Sequence, residues 1–131
     1  MTHVFPVRVY YSETDAGGMV YHANYLTFAE HARTEYLRTL GVEQQRLFDE
    51  AGFLFVVHRL QVDYKASARL DDALTVESTV TSLKGARITF LQNIMRDGKI
   101  LVTLTVEIAF INTKGIPKKI PENLQKKLQY Q

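Results

Sequence analysis

Cysteine is absent from the 131-residue chain. That removes disulfides, thiolate metal ligands and thiol nucleophiles together, and it fits a reducing compartment. No apolar run approaches the ~20 residues needed to cross a bilayer. The first residues lack a basic segment leading into an apolar one, so no signal peptide is expected and the cytoplasm is the expected setting. Charge of one sign is missing too. Sixteen basic and 14 acidic side chains leave a net charge of +2, far from the clustered basic excess of a nucleic-acid binder. Linkers, internal repeats and low-complexity segments are lacking, so residues 1–131 read as one domain. With 46% apolar and 23% charged residues, that domain is expected to be globular.

Two hydrophobic periods divide what is present. Val7, Val9 and Tyr11 alternate with Arg8 and Tyr10, predicting a strand over residues 4–11. Turn formers follow from Ser12 to Gly18. Tyr25, Phe28, Ala29, Ala32, Tyr36 and Leu40 then recur at helical spacing, with Glu30, Arg33, Glu35 and Arg38 on the polar side. This predicts a helix over 23–40, roughly 27 Å long at about 1.5 Å per residue. A short helix is expected near 42–50.

After Gly52 the period returns to two. Leu54, Val56, Leu60, Val62 and Tyr64 mark one strand, and Leu74, Val76 and Val80 the next. Ile88, Phe90 and Ile94 mark a third, and the run from Ile100 to Phe110 a fourth, with turns at Lys84-Gly85 and Asp97-Gly98. On this pattern His58 falls on an apolar strand face and reads as a core histidine. Pro121 suits the first turn of a terminal helix from Glu122 to Leu128. One long amphipathic helix must bury its stripe, and the only large surface available is the sheet. The expected fold is α+β, a five-stranded antiparallel sheet wrapped around one long helix.

The segment Thr14-Asp15-Ala16-Gly17-Gly18-Met19-Val20-Tyr21-His22-Ala23-Asn24-Tyr25 carries the chemistry. It joins a carboxylate, two glycines and a histidine just before or within the first turn of the predicted helix. Free N–H groups and the helix dipole stabilise an oxyanion there, and a carboxylate alongside can attack a carbonyl or activate water. Asp is also common in turns and caps, and paired glycines usually mark a turn, so each residue alone has a purely structural explanation. No second histidine stands near His22, so no metal site is expected. No Gly-x-Ser-x-Gly elbow occurs.

Arg8-Val9, the Thr14–His22 run and Asn24-Tyr25 together resemble the active-site signature of the 4-hydroxybenzoyl-CoA thioesterase family. The resemblance is closer to the YbgC-like branch of short acyl-CoA thioesterases associated with the tol-pal system. It extends through Arg33-Thr34-Glu35-Tyr36-Leu37-Arg38 and the run from Val62 to Asp72, nearly the whole chain. The resemblance implies a hotdog fold and a homodimer or homotetramer with active sites at subunit interfaces. It implies acyl-CoA hydrolysis without cofactor or metal, with Asp15 as nucleophile or general base. The N–H at the His22 position would polarise the thioester carbonyl, and the His22 imidazole is a second catalytic candidate. Relatives acting on aromatic substrates carry tyrosine at that position. Gly17, Gly18, Val20, Tyr25, Lys84 and Arg87 are the substrate-binding candidates. Coenzyme A phosphates call for basic residues at the site mouth, and Arg59, Lys65, Arg69, Lys118 and Lys119 are further candidates.

Three other functions compete: a hydrolase of acyl-carrier-protein thioesters, a dehydratase on the same fold, and a non-catalytic acyl-binding or interaction module. The dehydratase arrangement of histidine and carboxylate is not found in the sequence.

Overall fold

The computed structural model describes residues 2–129. Strand β1 (His3–Arg8) is followed by helices α1 (Asn24–Thr39) and α2 (Gln44–Ala51). Strands β2 (Phe53–Tyr64), β3 (Ala73–Lys84), β4 (Arg87–Arg96) and β5 (Lys99–Asn112) come next, then helix α3 (Glu122–Gln129). Every pairing is antiparallel, and the sheet order is β1-β3-β4-β5-β2. The helix stripe is buried as its spacing predicts, with Tyr25, Phe28, Ala29, Ala32 and Tyr36 facing Leu74, Val76, Ile88, Phe90 and Ile94 in one core. α1 packs on β1, β3 and β4. β2, on the outer edge, has no fully buried residue.

Three details depart from the expected pattern. The first strand stops at Arg8, and Tyr11 opens a short 3-10 turn with 82% of its surface exposed. The Glu13 carboxylate accepts the Tyr10 N–H at 2.7 Å and bends the chain away from the sheet. The β2–β5 register shifts between Val57 and Arg59. His58 occupies this bulge, which flips the side-chain parity, so it is exposed rather than core.

Arg33, assigned to the polar side of the helix, is 9% exposed. Its guanidinium donates to Gln92 Oε1 at 2.9 Å, and Gln92 in turn donates to the Ala29 carbonyl and Ser78 Oγ. A buried charge needs polar partners, and the inward-facing Gln92 of central strand β4 supplies one. Burial lowers the Arg33 pKa, while nearby Glu30 opposes that shift.

Candidate functional site

Asp15 does not cap α1, which begins nine residues later with Ala23 at its N-cap and no side-chain cap. It closes a tight loop of its own. Thr14 bridges Val20, and the Asp15 N–H donates to the Met19 carbonyl at 2.9 Å. Asp15 Oδ1 accepts the Gly17 N–H at 2.9 Å, with a longer contact of 3.4 Å from the Met19 N–H. Asp15 Oδ2 accepts no hydrogen bond among the described residues. One oxygen therefore anchors the loop and the other is free to react.

The glycines explain why this loop closes. Gly18 has φ +76°, a conformation side chains disfavour, and a Cβ on Gly17 would lie 3.3 Å from Asp15 Oδ1. Both shape the loop, and neither lines the cavity beside it.

That cavity, about 310 Å³, is where the chain brings Asp15, Met19, Val20, His22 and Tyr25 together with residues 64–67 at the end of β2. Two bonds to one residue fix the far wall: the Val20 N–H donates to the Ala68 carbonyl and the Ala68 N–H donates to the Tyr25 hydroxyl, each at 2.9 Å. Burial pushes the Tyr25 hydroxyl pKa up, so at neutral pH it stays protonated. The His22 ring lies 4.5 Å from that of Tyr21 and stands edge-on to Tyr64 at 6.3 Å. Among the described residues its imidazole makes no hydrogen bond, and the N–H groups of His22 and Ala23 meet no backbone carbonyl. A carboxylate with one free oxygen and a histidine with an open main-chain N–H and an unpartnered imidazole thus border one cavity. Such a set can attack or hydrate a carbonyl while stabilising the oxyanion that forms.

The basic candidates divide between the two ends of the sheet. Lys65 lines the cavity, and Arg69 bridges Met19 beside Gly18. Lys84 and Arg87 flank the β3–β4 turn, eleven residues along β3 from the Ala73 end that pairs with Arg8. At ~3.3 Å per residue that is roughly 36 Å from the cavity end. Lys118 and Lys119 lie at the same far end, where the Lys118 N–H donates to the Phe110 carbonyl. Arg87 is paired with Glu107 at 2.6 Å, which lowers the Glu107 pKa. Arg59 lies in the middle of β2. Within one chain, Lys84 and Arg87 do not reach the Asp15 cavity.

Sequence reasoning missed Met19, Ala66, Ser67 and above all Tyr64, which it took only as a strand-face residue. The Tyr64 hydroxyl donates to the His22 carbonyl at 3.0 Å. Among the described residues, no group of three or more His, Asp or Glu could hold a metal ion. No helix among them is long and apolar enough to cross a membrane.

Known proteins resemble this one in sequence and in shape. The sequence model of the thioesterase-like superfamily matches residues 9–128. The acyl-CoA thioesterase YbgC of Haemophilus influenzae is 55% identical over 122 residues, 92% of this chain and 90% of that protein. The acyl-CoA thioester hydrolase YbgC of Escherichia coli O6:H1 is 42% identical over 123 residues, 88% of this chain and 90% of that one. Among solved structures, a probable thioesterase from Bartonella henselae superimposes with a TM-score of 0.88 at 38% identity, covering 92% of this chain and 100% of the other.

Proposed function

This chain belongs to the thioesterase-like superfamily, with the hotdog arrangement of five strands around α1, and on that premise we propose that it hydrolyses acyl-CoA thioesters. The products are the free acid and coenzyme A. A small or short acyl group is proposed, and residues 1–131 act as one thioesterase domain. The observation that carries this reading is the half-free carboxylate of Asp15 on the same cavity as His22, whose main-chain N–H is open.

Asp15 acts as nucleophile or general base, the His22 N–H holds the oxyanion, and the His22 imidazole moves a proton to the leaving thiolate. Val20 and Tyr25 shape the acyl side of the cavity, while Gly17 and Gly18 keep the loop tight enough for substrate to approach the main chain. No metal or cofactor is required, because water and an activated carboxylate suffice. The missing cysteine supports a cytoplasmic setting.

Acetyl-, butyryl-, octanoyl- and benzoyl-CoA, assayed by release of free thiol, test the function. Turnover of at least one, with none of the chain's activity lost to a chelator, is expected. No turnover of any acyl-CoA, together with acyl binding alone, would favour the binding-module alternative. Turnover only of acyl-carrier-protein thioesters would move the substrate class.

The working unit is proposed to be a homodimer or a dimer of dimers. β1 is a short edge of six residues interrupted by Pro6, so it resists pairing. β2 is an edge of twelve residues without proline, carrying half-exposed Val57, Leu60 and Tyr64. Antiparallel pairing of β2 with β2 of a second copy would set the Lys84–Arg87 end of one sheet beside the Asp15 end of the other. Three strand spacings, ~14 Å, then separate the basic turn from the cavity, within reach of an extended coenzyme A. Light scattering should give at least twice the 15.0 kDa of one chain. A fully active monomer would overturn the shared site.

A further inference from the structure

We infer that Tyr64 is a positioning residue for this reaction, holding the His22–Ala23 peptide so that the main chain at His22, on the wall of the Asp15 cavity, stays in place for the substrate carbonyl. The inference rests on the proposed acyl-CoA hydrolysis at the Asp15 cavity and adds a residue to it.

Three successive carbonyls before the helix are each taken. The Tyr21 carbonyl accepts the Asn24 N–H at 2.8 Å, and the Ala23 carbonyl accepts the Leu26 N–H at 3.1 Å. The carbonyl between them, that of His22, accepts the Tyr64 hydroxyl at 3.0 Å. The first two bonds are local to the turn. The third comes from the end of β2, 42 residues away in sequence. It ties the turn to the sheet at the point where the N–H groups of His22 and Ala23 are open.

A peptide unit is planar, so holding its oxygen also fixes the direction of its N–H. The unit held by Tyr64 carries the Ala23 N–H and starts at the His22 Cα, so it also fixes the main chain from which the cavity-lining His22 N–H and imidazole project. Accepting a hydrogen bond at the oxygen polarises the same amide and makes its N–H a stronger donor. A preorganised donor stabilises an oxyanion without having to reorganise during the reaction.

The ring is braced for this task. It stands at 64° to Tyr25 with centroids 5.8 Å apart, and at 90° to His22 at 6.3 Å. Tyr64 is nevertheless 48% exposed, so it contributes little to the core, and its hydroxyl contact is its distinctive feature. The adjacent Tyr25 hydroxyl accepts the Ala68 N–H and makes no bond to the His22 carbonyl among the described residues.

Tyr64→Phe keeps the ring and removes only the hydroxyl. Wild type, Tyr64→Phe and Asp15→Asn are compared for thiol release from the four acyl-CoA esters named above. For Tyr64→Phe, kcat should fall roughly tenfold with KM within about twofold, because an amide aimed at the oxyanion acts in the transition state. Thermal melting and oligomeric state should match wild type. Unchanged kcat in the folded variant overturns the inference, and so does a loss confined to KM, which would make Tyr64 a substrate contact. If Asp15→Asn turns over like wild type, the site itself has been misassigned. If Asp15→Asn is inactive while Tyr64→Phe is fully active, only the role of Tyr64 falls.

Discussion

Asp15→Asn should lower turnover at least ~10²-fold and leave the fold intact. The substitution preserves what Asp15 does structurally. An asparagine Oδ1 can accept the same Gly17 N–H, and the main-chain bonds from Asp15 to Met19 and Gly18 do not involve the side chain. What it removes is the second oxygen, the one with no partner among the described residues. An amide nitrogen there is neither nucleophile nor base at neutral pH. A turn-forming aspartate and a reacting aspartate therefore predict different outcomes from one substitution. The turn role predicts full activity in the variant, and the reacting role predicts its near-complete loss. Circular-dichroism melting alongside steady-state thiol release decides between them. Wild-type turnover in a folded variant removes Asp15 from the chemistry.

How much of this was legible in the sequence depends on the distance over which each feature is specified. α1 and the central strands announced themselves because burial imposes its period directly. Phe28, Ala32 and Tyr36 repeat along one helix face, and Ile88, Phe90 and Ile94 along one strand face, all against one core. His58 was misread because it is the extra residue of a bulge: Phe55 and Val57 before it share a face with Leu60 and Val62 after it, so Leu54 and Val56 fall on the other face, and no composition signal marks where the parity changes. Arg33 was misread because periodicity counts charge as exposure, whereas a partner on β4, 59 residues away, allows it to be buried.

The candidate site shows the same division. Asp15, Val20, His22 and Tyr25 border one cavity because a single short segment carries them all. Tyr64 reads only as the last residue of an alternating strand, since its contact with His22 depends on where β2 ends against the loop. Lys84 and Arg87 could be named as basic residues, but not located. Topology puts them at the end of the sheet opposite the cavity, out of its reach within one chain.

His22→Ala should reduce turnover about hundredfold, through the imidazole rather than the main chain. The main-chain contribution survives the substitution. The His22 N–H remains, and the carbonyl stays available to the Tyr64 hydroxyl. The imidazole lines the same cavity as Asp15, has no hydrogen-bond partner among the described residues, and is held by ring contacts with Tyr21 and Tyr64. Those contacts set its orientation without consuming either nitrogen. A histidine so held can deliver a proton to the departing thiolate or direct the attacking water. Loss of the ring also removes packing from Tyr21 and Tyr64, so the comparison needs His22→Phe, which restores an aromatic surface without a titratable group. Both variants should lose activity alike, and the pH–rate profile should change shape relative to wild type in both. Recovery in His22→Phe alone would assign the ring a packing role. If His22→Ala keeps more than about a third of wild-type turnover with an unchanged profile, the main chain acts without the side chain.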